Sequence, residues 1–192
     1  SMSAPAARKA KLLFQQFKTA CARWDDATDK GKSSLLSVVN CSLAGEYVDT
    51  PESLGVLQDF AGSRTKLRSK LERERQQHLR ALDEVMDSLT NAVLDMKHIS
   101  GEFSALESFT DGPIFVVSSA HDFAQKISGL AEKFQQECLL RERILEDVQC
   151  RAHRETLSIY LNAWVSQPYV DQDEITAVNN AFEVEVGLAA AN

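Results

Sequence analysis

Apolar residues recur along most of this chain in alternating three- and four-residue steps, the period of a helix buried on one face. Within 6–28, Leu13, Phe17, Ala20, Trp24 and Ala27 share one side and predict a first helix. Gly31 is expected to interrupt it, and "SSLLSVVNCSLA", with Leu35, Val38, Val39 and Leu43, reads as a second helical piece. Thr50 and Pro51 carry the chemistry of a helix cap and first turn, so a long helix is expected over about 51–99. Its stripe is a heptad seam of Leu67, Leu71, His78, Leu82, Val85, Leu89, Ala92, Met96 and Ile99, preceded by Phe60 and followed by Phe103 and Leu106. Such a helix would be on the order of 70 Å long, an arm or hairpin strut that needs cover from another helix. Gly101 is expected to end or bend it.

Asp111-Gly112-Pro113 is turn chemistry, and Ile114 to Val117 would bury as an extended segment. Ser119 with Asp122 three residues later resembles a capping box. It opens a return helix over about 120–149, with Phe123, Ile127, Leu130, Phe134, Cys138, Leu145 and Val148 on its inner side. A shorter helix follows over 156–165, stopped by Pro168, and Asp171 with Glu174 reads as the start of a last, acidic one. The expected fold is all-α: an elongated antiparallel helical bundle or coiled-coil hairpin with short C-terminal helices. One elongated helical domain should span 6–187, with the aromatic motif and acidic helix in 156–187. Residues 1–5 read as a tag scar and disordered start, since Ser1 precedes Met2, and 188–192 as a disordered tail.

Composition agrees with long uninterrupted elements, for 192 residues hold only 8 glycines and 4 prolines. A formal net charge of -7 argues against general affinity for nucleic acid phosphates. The charge is uneven. Arg64, Lys66, Arg68, Lys70, Arg73 and Arg75 crowd "RTKLRSKLERER", whereas no Lys or Arg follows Arg154. No run approaches the roughly 18 apolar residues of a transmembrane helix, so a soluble intracellular protein is expected. Cys21, Cys41, Cys138 and Cys150 form no CxxC pair and read as free thiols of a reducing compartment.

Catalytic and metal chemistry finds little support. Glu146, Cys150 and His153 lie at helical spacing but lack a fourth ligand, and a solvated helix end explains them better. Ser119, His121 and Asp122 are adjacent in sequence, where a helical turn points them apart; a cap explains the same residues. No phosphate loop, dinucleotide fingerprint or nucleophile elbow is present, so neither enzyme nor cofactor is expected. The basic run could meet an acidic protein or nucleic acid, or be a solvated face paired with Glu72 and Glu74. In "YLNAWVSQPYV", Tyr160, Trp164, Pro168 and Tyr169 read either as a core plug or as a partner-binding surface, because large aromatics dominate both settings.

"IYLNAWVSQPYVDQ" resembles the C-terminal signature of the cyclin-dependent kinase 2-interacting protein family, with its tyrosine-leucine, tryptophan and Q-P-Y-V at the same spacing. "GPIFVVSSAHDF" and "ECLLRERILEDV" resemble that family's P-x-F segment and E-x-L-L-x-R helix, and Trp24 in "ACARWDD" matches its N-terminal tryptophan. The resemblance covers about 17–187, with its specific motifs in 112–170. It implies a non-enzymatic adaptor linked to a cyclin-dependent kinase, to replication-stress checkpoint proteins and to an assembly containing AAA ATPase subunits. There it would pair as a heterodimer with a second small helical protein. The implied setting is the nucleus, and the cytoplasm as well. The implied processes are DNA replication, DNA damage and repair, cell division and large ribosomal subunit maturation. Neither membrane association nor direct nucleic-acid binding is expected. The competing reading is a structural coiled-coil subunit of an unrelated complex, self-associating through Leu67, Leu71, Leu82, Val85, Leu89 and Met96.

Overall fold

The computed structural model describes residues 4–108, 117–150 and 153–191. Its elements are α1 (Ala4–Asp49), two short 3₁₀ turns (Pro51–Ser53 and Gly55–Asp59), α2 (Ser63–Glu107), α3 (Ala120–Gln149), α4 (Arg154–Ser166) and α5 (Gln172–Ala191). The described residues contain no strand, and the protein is all-α as expected. The Asp111-Gly112-Pro113 turn and most of the expected extended segment, 114–116, lie outside the described residues.

Three helix boundaries differ from the sequence reading. Gly31 does not interrupt α1, which runs unbroken through it. The three-four stripe continues across the glycine: Trp24, Ala27, Thr28, Leu35 and Val38 are all buried. A mid-helix glycine costs about 1 kcal/mol relative to alanine, so an interruption was a reasonable expectation; packing overrides it here. The long helix starts at Ser63, not Pro51. Thr50 makes no capping bond, and Pro51 opens a 3₁₀ turn instead. Gly55 and Gly62 then take left-handed conformations, with φ of 50° and 77°, and break the helical path twice. At its other end α2 passes through Gly101 to Glu107 and carries Phe103 and Leu106 into the core.

The chain forms two compact units. The first comprises Ser1–Asp25, Ser88–Leu139 and Gln167–Asn192, and so holds α5 with one stretch each of α1, α2 and α3. Its core is aromatic. Phe182 stacks on Phe14 with ring centroids 3.8 Å apart and meets Phe123 edge-on at 5.2 Å. Lys9–Glu102 and Arg23–Asp95 pairs tie α1 to α2 in antiparallel register. Ser119 and Asp122 form the expected capping box: the Asp122 carboxylate accepts from the Ser119 backbone N–H and hydroxyl, each at 2.8 Å. In return, the Asp122 N–H donates to the Ser119 hydroxyl. These bonds hold the Asp122 carboxyl below its usual range. Glu185, buried on α5, accepts from the Val117 and Ser118 N–H groups just ahead of that cap. Asp171 caps α5 by accepting from the Asp173 N–H at 2.9 Å, whereas Glu174 pairs with Lys133 rather than joining the cap.

The second unit comprises Asp26–Asp87 and Leu140–Ser166: α4 with the remaining stretches of α1, α2 and α3. Arg75 departs from its basic run and lies in the core. Its guanidinium donates to Val148 O at 2.9 Å, Gln149 O at 3.2 Å and Ser42 Oγ at 3.3 Å. It thereby caps the C-terminal carbonyls of α3, whose last turn has no basic residue of its own.

The thiols differ in setting. Cys21 is half-buried on α1, and burial first, then the Asp25 carboxylate, pushes it up to about 12. Cys150 is exposed at the end of α3. Because the thiolate is the reactive species, the native protein at pH 8 should release colour from Ellman's reagent at the exposed Cys150 before the half-buried Cys21. Rapid labelling of Cys21, followed by peptide mapping, would contradict this.

Candidate interaction surfaces

The aromatic stretch does not act as one patch. Tyr160 and Trp164 belong to the second unit, Pro168 and Tyr169 to the first.

In the second unit Trp164 is fully buried. Its indole N–H donates to Thr28 O at 3.1 Å. The Arg141 guanidinium stacks over the ring at 4.5 Å while donating to Thr28 Oγ1 at 2.8 Å and Trp164 O at 3.2 Å. A buried guanidinium is costly unless its donors are satisfied, and these bonds supply acceptors for it. The ring also explains Gly31: a Cβ added there would lie 2.3 Å from Trp164 Cζ2 and 3.0 Å from Val85 Cγ1. The glycine is a notch in α1 for the tryptophan. Tyr160 is half-buried, and its hydroxyl donates to Asp147 at 2.6 Å, which raises its pKa. Of the stretch's two aromatics in this unit, Trp164 is thus the core plug.

In the first unit the chain leaves α4 through Gln167, a non-glycine residue with φ of 48°. Its side-chain oxygen accepts from the Trp24 indole N–H at 2.7 Å, and its carbonyl accepts from the Val170 N–H at 2.9 Å. Trp24 is fully buried and meets Phe134 edge-on at 4.6 Å. The Tyr169 N–H donates to Glu137 Oε2 at 3.2 Å. The turn is clasped at both ends, and Pro168 and Tyr169 face solvent, with Tyr169 48% exposed. Tyr169 and Pro168 fit the surface reading of the stretch. Gln167, which the sequence reading passed over, holds the turn; its pairing with the lone N-terminal tryptophan was the available signal.

The seam divides as well. Leu82, Val85, Leu89 and Met96 are buried within this one chain, whereas Leu67 and Leu71 are half-buried. Antiparallel contacts from α1, through Ser42 to Arg75 and Asp49 to Arg64 and Arg68, show what covers α2 in the second unit. Helix α1, cut short in the sequence reading, supplies this cover.

Glu146 of the suspected metal trio pairs with Arg143 at 2.7 Å, and the described residues hold no group of three side chains fit to bind a metal ion. No described helix is long and apolar enough to cross a membrane.

Two units of packed helices, the first carrying a clasped, solvent-facing proline-tyrosine turn, define an all-α protein. Two curated proteins resemble it along most of its length. The chain is 23% identical over 180 residues to the cyclin-dependent kinase 2-interacting protein of Mus musculus, covering 87% of this chain and 83% of that protein. To the protein of the same name from Bos taurus it is 23% identical over 176 residues, covering 86% and 82%. No family model matches the chain.

Proposed function

We propose that this chain is a non-enzymatic adaptor of the cyclin-dependent kinase 2-interacting kind, binding a cyclin-dependent kinase through a surface that includes Pro168 and Tyr169. The observation that carries the reading is the extent of the match, which spans more than four-fifths of this chain and of both relatives. A shared heptad helix alone would match over α2 only. The residues of the motif resemblance also have distinct work: Trp24 and Gln167 clasp the turn, Trp164 plugs a core, and Tyr169 remains outside.

The finer setting rests on the motif resemblance. The protein would work in the nucleus, and in the cytoplasm as well, in a heterodimer with a second small helical protein and with AAA ATPase subunits. It would serve replication, checkpoint signalling, DNA repair, cell division and large ribosomal subunit maturation. Self-association through the seam is the weaker reading, because Leu82, Leu89 and Met96 have no exposed surface left to offer.

The test is direct binding of purified cyclin-dependent kinase 2, with and without cyclin, to the immobilised protein. Saturable binding is expected. Tyr169→Ala should weaken it about tenfold or more, as loss of an interface aromatic does, and leave the melting temperature unchanged. Absence of kinase binding by the wild type would refute the direct contact. Equal binding by the variant would remove Tyr169 from the surface. Affinity purification from nuclear extract, scored for AAA ATPase subunits and a stoichiometric small helical protein, tests the assembly.

A further inference from the structure

Between α1 and α2 in the second unit, the chain shows an apolar tip that its own fold does not use. Neither 3₁₀ turn contributes a buried residue. Val56 is 73% exposed and Phe60 66%, and Leu57 beside them is exposed too. Isolated exposed apolar residues are ordinary, but three within five positions on one loop are a patch. The loop is nevertheless held. Leu57 O accepts from Ser63 Oγ at 2.6 Å, Pro51 O from Gln58 Nε2 at 2.8 Å, and Asp49 O from Arg64 at 2.9 Å. The patch is therefore presented on a bonded frame, which lowers the ordering cost of binding.

The tip leads into a row of cations. Lys66, Lys70 and Arg73 follow four-three spacing, which puts them on one face of α2. All three are exposed, and none has an ion-pair partner among the described residues, whereas Arg64 and Arg68 are engaged by Asp49 and Arg75 by Glu72. The row opens a helix with no acidic residue in its first turn, where positive charge adds to the helix dipole instead of offsetting it. In a chain of net charge -7, this concentration runs against the overall field. Glu52 and Asp59 stand on the loop itself, so attraction for negative charge comes from the α2 row and not from the tip.

We infer that the tip and the α2 row form a docking surface for an acidic peptide segment of a partner protein. An aliphatic or aromatic side chain of that segment seats on Val56, Leu57 and Phe60, and its carboxylates lie along Lys66, Lys70 and Arg73. The apolar half of the surface selects a peptide over a nucleic acid, whose phosphates would leave Val56 and Phe60 exposed. The surface belongs to the second unit and the Tyr169 turn to the first, and the inference stands or falls without the kinase.

A phage-displayed library of random 16-residue peptides, selected on the full-length protein and counter-selected on Val56→Ser/Phe60→Ser, is the test. Enrichment of peptides that combine Asp or Glu with at least one large apolar residue is expected. A labelled synthetic copy of the leading peptide should bind in fluorescence anisotropy and weaken with added salt. It should lose about tenfold or more in affinity for Val56→Ser/Phe60→Ser and, separately, for Lys66→Glu/Lys70→Glu/Arg73→Glu. Both variants change exposed residues and should keep the wild-type circular dichroism and melting temperature. Enrichment of uncharged or basic peptides, or no enrichment, overturns the inference. So does a labelled 16-nucleotide single-stranded DNA that binds more tightly than the peptide, or a dimer of the wild type in sedimentation that either variant abolishes.

Discussion

Alanine at Gly31 is expected to destabilise the protein, although alanine is the better helix former. In an exposed helix the exchange would gain about 1 kcal/mol. Here the new methyl would stand 2.3 Å from Trp164 Cζ2, and the ring cannot easily withdraw because its N–H is bonded to Thr28 O and its face is covered by Arg141. Overpacking of this kind costs about 1–3 kcal/mol. Trp164→Leu alone should cost more, approaching the roughly 3–5 kcal/mol of a large core aromatic lost to alanine. The decisive arm is the double variant. With the ring gone, Gly31→Ala has room, and its effect should change sign to a gain of up to about 1 kcal/mol. Urea unfolding of the four proteins reads the cycle. Destabilisation by Gly31→Ala of equal size in both backgrounds would mean that the notch is not what the glycine serves.

The same pair shows where sequence reasoning stops. The period of apolar residues located α3 to its end residues, because a capping box and a continuous stripe are both local signals. It also located the seam from Leu82 to Leu106, every member of which is buried. Gly31 was misread because the meaning of a mid-helix glycine depends on what lies opposite, and Trp164 is remote in sequence. The start of α2 was misread for a different reason: a threonine and proline suit a 3₁₀ turn as well as an α-helix, and the left-handed glycines that decide the matter come later. Arg75 is indistinguishable in sequence from Arg73, yet one caps α3 from within a core and the other faces solvent. In the aromatic stretch the residue types announced importance but not kind. Trp164 proved internal and Tyr169 external, because Gln167 reverses the chain between them.

Gln167 carries the second large effect. A non-glycine residue in the left-handed region costs about 1–3 kcal/mol and persists only where its surroundings compel it. The compelling contact is the 2.7 Å bond from Trp24. Gln167→Ala should keep the strain and lose the acceptor, leaving a buried indole N–H without this bond at a cost of about 1–3 kcal/mol. Gln167→Gly also loses the acceptor but relieves the backbone, so it should be the more stable of the two by about 1 kcal/mol. Trp24→Phe keeps most of the packing against Phe134 and removes only the donor. Once it is present, Gln167→Ala should cost far less than in the wild type, since the bond is already gone. Trp24→Ala should remove the packing too and cost about 3–5 kcal/mol. The binding readout separates this clasp from the surface it supports. If the turn aims Tyr169 at a kinase as proposed, Gln167→Ala should weaken that binding without altering any residue of the proposed surface, and Gln167→Gly should weaken it more than its stability predicts, because a freed turn no longer fixes the tyrosine. Kinase binding that tracks stability alone across these four single variants would show that the clasp serves the fold and nothing further.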